Sequence, residues 1–288
     1  MILTIFTPTY NRAHTLPRLF ESLCRQSCKD FEWILIDDWS SDGTPALAEA
    51  FEQCDRGFEM THLRVANGGK HRAINRAVQL AQGEFFFIVD SDDYLTDDAA
   101  ALVHEWLGGI DDSFAGVSGL RGYDENTATV DRTPFGDVLY LDLCSHERPT
   151  HGLDGDMSEV YRTALLRRYP FPEFEGENFV TEAVVWDAIS YAGHPMRWYN
   201  RVIYICEYLE DGLSRNAHEV NISNPRGYCH ALNLRLTRSR AIFQQRQHDR
   251  WRYFDVLRYR YSFGEICSFL QISRLTLFCA RVLHFIGK

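Results

Sequence analysis

Four clusters of polar residues have the types and spacing that chemistry requires, and each follows a short apolar run. Asp90-Ser91-Asp92-Asp93 emerges directly after Phe85–Val89. Carboxylates packed this closely repel one another unless a cation lies among them, and hard oxygen ligands favour Mg2+ or Mn2+. A diphosphate could complete the shell of such an ion. The plain alternative is a solvated turn leading into the next helix, and an Asp-x-Asp string alone does not decide between them. Asn67-Gly68-Gly69-Lys70-His71-Arg72, continuing to Asn75, opens a helix with two glycines and two cations. A helix start flanked by cations suits a diphosphate, whereas an idle basic N-terminus runs against the helix dipole. The other two clusters are Thr7-Pro8-Thr9-Tyr10-Asn11-Arg12 and Asp37-Asp38.

The elements that must position these residues are legible from periodicity. The pattern predicts strands at Ile2–Thr7, Phe31–Asp37, Met60–Val65 and Phe85–Asp90, with helices near 14–26, 44–54, 70–82 and 96–107. Such alternation implies parallel strands joined by right-handed crossovers, an α/β architecture whose ligands bind outside the carboxyl ends of the strands. All four clusters fall at such ends. Residues 1–110 therefore form a ligand-binding half. Residues 111–225 read as an irregular α+β half, with strands at Ala115–Arg121, Val138–Leu141 and Met196–Leu209 and a helix at Thr181–Ala192. Residues 226–288, following Asn224-Pro225, read as an extension of two or three helices.

The composition of the 288 residues, 45% hydrophobic and 24% charged, matches a globular protein and excludes a disordered or fibrous one. The eight cysteines show no Cys-x-x-Cys pair, so zinc is not expected and free thiols in a reducing compartment are. No leader and no apolar run of about 18 residues is evident, so the expected location is cytoplasmic. The net charge of −10 is uneven, with −19 over residues 1–225 and +9 over residues 226–288. An acidic body attracts metal ions, and a basic tail suits an anionic surface. The tail interleaves its arginines with bulky apolar residues and ends on the amphipathic stretch Phe269–Ile286, the pattern of a helix lying at a membrane interface. Peripheral contact with the inner face of an anionic membrane is the expectation, packing against the acidic body the alternative, and no nucleic acid is expected. Gln247-His248-Asp249-Arg250-Trp251 matches the Q-x-x-R-W string of processive polysaccharide synthases, but stands without their membrane spans and is read as coincidence.

Three segments in order carry a family resemblance: Ile5-Phe-Thr-Pro-Thr-Tyr-Asn-Arg12, Ile34-Leu-Ile-Asp-Asp-Trp-Ser-Ser-Asp-Gly-Thr44 and Ile88-Val-Asp-Ser-Asp-Asp-Tyr94. Together they resemble the P-x-Y-N, D-D-x-S-x-D-G-T and D-x-D-D motifs of the family 2 glycosyltransferases found in bacterial surface-polysaccharide biosynthesis. The resemblance implies a GT-A fold, with a Rossmann-like, mostly parallel sheet flanked by helices. It also implies inverting transfer of one sugar from a nucleotide-diphosphate sugar, with a UDP-sugar the expected donor, to a hydroxyl of a glycan or lipid-linked acceptor. Tyr10 would lie against the base, the backbone at Thr7 and Pro8 would shape its pocket, and Asp37 or Asp38 would accept from an imide N–H. Arg12, Lys70, Arg72, Asn75, Asp90 and Ser91 complete the nucleotide-binding set, and Asp92 with Asp90 would hold Mg2+ or Mn2+.

Inversion needs a base to take the proton from the acceptor hydroxyl. The matching stretch has Thr181-Glu182 where the family usually has Glu-Asp, and resembles its G-E-x-F-x-x-E variant. Glu182 is the first candidate, Glu177 the second and Asp187 the third. The departure at Thr181 keeps open a catalytically silent nucleotide-sugar-binding module. A nucleotidyltransferase-like enzyme is disfavoured, since the expected phosphate loop near the N-terminus is missing. Residues 207–215 resemble a further family segment, Y-x-x-D-G-L-S/T, that could bring Ser214 and Arg215 near the donor phosphates.

Overall fold

The computed structural model describes residues 2–206, 217–238 and 243–286. The segment 207–215 therefore lies outside the described residues. The first four strands are β1 (Leu3–Thr9), β2 (Phe31–Asp37), β3 (Glu59–Arg64) and β4 (Phe85–Ile88). They alternate with α1 (Leu16–Arg25), α2 (Thr44–Glu52) and α3 (Lys70–Leu80). Every residue of β2 is buried, as befits a central parallel strand covered on both faces, while β3 alternates as an edge strand does. Glu32 is tolerated inside β2 because its carboxylate accepts from the Thr4 hydroxyl and from the backbone of Gln82 and Gly83. Prolines at the first turns of α1 and α2 set the helical φ where no N–H partner is needed.

The chain continues through β5 (Tyr94–Leu95), α4 (Ala99–Leu107), β6 (Gly116–Gly122), β7 (Tyr140–Leu143), β8 (Met157–Arg162), α5 (Thr163–Arg168), α6 (Ala183–Tyr191) and β9 (Met196–Ile205). Among the described residues the strands form one sheet in the order β3-β2-β1-β4-β8-β6-β9-β5, with β7 paired to β9. The β3-β2-β1-β4 half is parallel throughout. Beyond β4 the sheet is mixed: β8 runs antiparallel to both β4 and β6, and β6 runs parallel to β9. Strand order reverses at β1, whose neighbours are β2 on one side and β4 on the other. Ligands of open α/β sheets bind at the carboxyl edge of such a switch point.

Two compact units emerge, discontinuous in sequence: Met1–Pro170 with Ile189–Leu209, and Phe171–Ala188 with Glu210–Lys288. The core of the first joins Leu3, Ile5, Trp33, Leu35, Phe87, Val103 and Tyr204 across the sheet and its helices. The second is helical, with α7 (Ala217–Ser223), α8 (Pro225–Arg238), α9 (Phe243–Leu257), α10 (Phe263–Phe269) and α11 (Arg274–Ile286). Its core joins Cys229, Leu232, Leu257, Ile266 and Leu277. Among the described residues four helices thus follow Asn224, where two or three were expected. The added break is made by Ser262 and Glu265, which cap α10 reciprocally. Gln247 and Trp251 of the Q-x-x-R-W string face inward on α9. No described helix is long and apolar enough to cross a membrane by itself.

Candidate active site

The backbone pairing of β4 with β1 persists one residue past the strand, since Val89 N donates to Phe6 O at 2.8 Å. The chain then leaves the sheet at Asp90, at the switch point. Lys70 Nζ, from the first residue of α3, lies 2.6 Å from Asp90 Oδ1. Arg12, from the loop after β1, reaches to 4.0 Å from Asp92 Oδ2, and Arg18 of α1 donates to the Asp92 carbonyl at 2.6 Å. Three clusters far apart in sequence therefore converge on one pair of carboxylates.

The pair is electrostatically divided. Burial opposes ionisation of Asp90, but Lys70 and Arg121 outweigh it and hold the carboxyl below the usual carboxylate range. Burial, and then the negative charge of Asp90, push the Asp92 carboxyl above that range against the pull of Arg12. Asp92 thus carries charge that the protein does not fully compensate, which is the condition a cation would relieve. Among the described residues no three His, Cys, Asp or Glu side chains converge as a complete metal cage. Two carboxylates do fit Mg2+ or Mn2+, however, because such ions are held by one or two carboxylates when substrate phosphates supply the remaining oxygens.

The two acidic residues closing β2 are both engaged by the protein. Asp37 is fully buried; its Oδ1 accepts from Ser40 N at 2.9 Å and its Oδ2 lies 3.4 Å from Arg64 Nε. Asp38 accepts from Gly68 N at 2.7 Å and from Gly69 N at 2.8 Å, one with each oxygen. Asp38 therefore locks the entry of α3, where Gly69 adopts a φ of 88° that glycine alone meets without strain, and so fixes Lys70 relative to β2. Arg72 turns back onto the Gly68 carbonyl at 2.7 Å, and Asn75 lies half-buried one turn further along α3. Thr7 is buried, accepting from the indole of Trp33 at 3.0 Å, so only its backbone is available to shape a pocket. Pro8 is half-buried, Ser91 is buried and Tyr10 is exposed.

The acceptor-side candidates belong to the second unit. Glu177 is buried, and its two oxygens accept from Arg226 N at 2.8 Å and Gly227 N at 2.9 Å, capping the first turn of α8. Asn224 adds a second clamp, its side-chain oxygen accepting from Asn178 N and Phe179 N. Glu182 stands immediately before α6 and is half-buried; its carbonyl accepts from Val185 N and Trp186 N. Asp187 follows within α6.

Residues 4–174 match the family model described as glycosyl transferase family 2. The chain belongs to that family. Among relatives of this family 2 chain, the poly(ribitol-phosphate) β-N-acetylglucosaminyltransferase TarS of Staphylococcus aureus is 33% identical over 173 residues, 58% of this chain and 28% of TarS. A PGL/p-HBAD biosynthesis glycosyltransferase of Mycobacterium bovis is 36% identical over 106 residues, 36% of this chain and 41% of its own. The chain thus spans well under half the length of these curated relatives. A crystal structure of S. aureus TarS 1–349 in complex with UDP-GlcNAc superposes with a TM-score of 0.58 at 20% identity, covering 99% of this chain and 88% of that one. The mannosyltransferase PcManGT of Pyrobaculum calidifontis, in complex with GDP-Man and Mn2+, gives 0.57 at 17% identity, covering 99% and 87%. The fold is the GT-A fold that the motifs implied.

In this family 2 chain, sequence reasoning passed over the groups that hold the acidic loop in shape. Tyr204 of β9 is fully buried; its hydroxyl accepts from Asp90 N at 3.0 Å and donates to Asp93 Oδ2 at 2.7 Å, tying both ends of the loop to the sheet. The Arg121 guanidinium lies 4.4 Å from the centre of the Tyr204 ring and donates to Met157 O. Burial, then the Asp90 and Asp93 charges, raise the Tyr204 hydroxyl well above its ordinary range, so it keeps the proton it gives to Asp93. Tyr204→Phe takes the acceptor away from the Asp90 N–H and deletes the bond to Asp93, so it should cost about 1–3 kcal/mol of stability. Thermal unfolding checks that loss. Titration of nucleotide with Mn2+ should also show weaker binding, and unchanged binding would show that the tether does not shape the site.

Proposed function

We propose that the chain is an inverting, metal-dependent glycosyltransferase that moves one sugar from a nucleotide-diphosphate donor, a UDP-sugar by preference, to an acceptor hydroxyl. The convergence of Lys70, Arg12 and the Asp90-Asp92 pair at the switch point is the observation that carries this reading. Asp92 and Asp90 are the residues to hold Mg2+ or Mn2+. When bound, such an ion stabilises negative charge on the departing diphosphate. Lys70 and Arg12 add fixed positive charge beside the same carboxylates, and Asp38 keeps Lys70 in place through the Gly68 and Gly69 amides. Tyr10 lies against the base.

Glu182 is the base that takes the acceptor proton. It is preferred to Glu177, whose two oxygens already hold α8. TarS, by its name, acts on poly(ribitol phosphate), and a phosphate-bearing or lipid-linked glycan is the acceptor class we favour here. A thermal-shift screen of UDP-, GDP- and other nucleotide sugars with and without Mn2+ tests the donor side, because a ligand selective for the folded state raises its apparent stability by mass action. Failure of every nucleotide to shift unfolding in the presence of Mn2+ would overturn the proposal.

The acceptor class gives the tail a purpose. On α11, Leu277 and Ala280 are buried, whereas Leu275, Phe278 and Val282 are exposed at helical spacing on the other side, with Arg274 and Arg281 on the same helix. An amphipathic helix of this kind lies on an anionic membrane. The paired change Leu275→Ser and Phe278→Ser should reduce co-sedimentation with phosphatidylglycerol vesicles and leave thermal unfolding unchanged. Sedimentation equal to that of the parent chain would remove the membrane from the reading.

A further inference from the structure

Trp39 is a bulky side chain in a backbone conformation that bulky side chains avoid. Its φ is 70°, in the left-handed region, and its side chain is 58% exposed. Such a residue persists only where its surroundings over-determine it, and strain of this kind concentrates at ligand sites. The constraints here can be named. Ser40 N donates to Asp37 Oδ1, and Arg64 donates to the Ser40 carbonyl while its guanidinium stacks 4.7 Å from the centre of the Trp39 ring.

The loop after β1 faces this turn. Asp38 N donates to Thr9 O on one side, and Asn11 N donates to Ser40 Oγ on the other. Between the two bonds stand Tyr10 on one backbone and Trp39 on the other, so the two loops laced together beyond the sheet edge each carry one exposed aromatic. Asn11 is itself left-handed at φ 53° and accepts from Ser41 N, which closes the lacing. Arg64 occupies one side of the Trp39 ring. The arrangement holds a flat aromatic surface beside the switch point at a cost in backbone strain.

We propose that Trp39 is the second aromatic wall of the nucleobase subsite, opposite Tyr10, and that it sets how tightly this chain grips the base. The proposal rests on the donor reading and adds to it a residue that the sequence motif leaves unspecified. The ligand is the planar base of a nucleoside diphosphate, and the phosphates do not contribute to this contact.

Trp39 is the most exposed tryptophan among the described residues, since Trp33, Trp106, Trp198 and Trp251 are buried and Trp186 is half-buried. Acrylamide quenching of intrinsic fluorescence therefore reads it directly. With Mn2+ present, UDP and uridine should each protect against quenching, and inorganic diphosphate should not. Trp39→Gly should weaken UDP about tenfold by calorimetry, the size of one base–aromatic stack, and leave diphosphate affinity unchanged. The glycine relieves the strained φ, so this variant should unfold no earlier than the parent. Trp39→Phe should retain most of the affinity. UDP that binds the parent and Trp39→Gly equally, or binds without protecting the fluorescence, overturns the proposal while the donor reading stands. Equal loss in the Phe and Gly variants also overturns it. Absence of any UDP binding to the parent chain removes the donor reading and this proposal together.

Discussion

Asp92→Asn should abolish the Mn2+-dependent part of nucleotide binding while the protein remains folded. Asp92 carries a charge that the structure does not fully compensate: burial and Asp90 both disfavour its ionisation, and Arg12 stands at 4.0 Å. That residual charge is what a divalent ion takes up, so removing it should weaken metal-dependent affinity by about 100-fold or more, given that losing groups that merely orient a metal ligand already costs about 10–100-fold. The fold should tolerate the change. Asp92 is half-buried in a loop, its carbonyl still accepts from Arg18, and the substitution removes a like-charge repulsion with Asp90. Calorimetric titration of UDP into the protein with and without Mn2+, paired with thermal unfolding, separates the two effects. An Asp92→Asn protein that binds UDP with an undiminished Mn2+ dependence would place the metal elsewhere. The change Lys70→Met provides a contrast, because it removes the cation 2.6 Å from Asp90 and leaves both carboxylates in place.

The parallel half of the fold was legible because each strand and helix there announces itself locally. Phe31–Asp37 was bounded correctly because the apolar run Trp33–Ile36 ends on two acids, and α3 begins at Lys70 because Gly69 takes a positive φ outside the helical region. What the sequence hid is non-local. β8 inserts between β4 and β6, yet its sequence Met-Ser-Glu-Val-Tyr-Arg carries charges at positions where a buried strand should be apolar. Glu159 is one of them. Burial raises its carboxyl, and the largest offsets come from Arg148 and Arg121, in other parts of the chain. Tyr204 grips a loop more than a hundred residues away, and no spacing rule reaches so far. The motif alone leaves open which of Asp37 and Asp38 meets the imide N–H; both have partners within the protein, and the difference between them lies in what they hold. Asp37 braces its own turn and Asp38 braces α3. The signal at Trp39 was present, since the x of D-D-x-S stands at a sharp turn, but its left-handed φ became evident only in three dimensions.

Glu182→Gln should keep donor and metal binding and lower turnover by about 10²–10⁴-fold, the range typical for loss of a general base. The charge-neutral change preserves the length of the side chain. It also leaves intact the Glu182 carbonyl that starts α6 by accepting from Val185 N and Trp186 N, so the helix should form as before. Glu177→Gln is the informative partner. Both Glu177 oxygens accept backbone N–H groups at the start of α8, and an amide offers only one acceptor oxygen in their place. That variant should therefore lose stability first and activity only in consequence, with an unfolding transition shifted downward. The two variants thus differ in kind: one stable and slow, the other less stable but with turnover per folded molecule closer to that of the parent. Turnover that survives Glu182→Gln and disappears in a fully folded Glu177→Gln protein would reverse the assignment. If the parent protein binds UDP with Mn2+ yet transfers sugar to no glycan, lipid-linked or polyol-phosphate acceptor, the Thr181-Glu182 departure acquires a different meaning. The chain would then be a nucleotide-sugar-binding module, and Glu182→Gln would change nothing that can be measured.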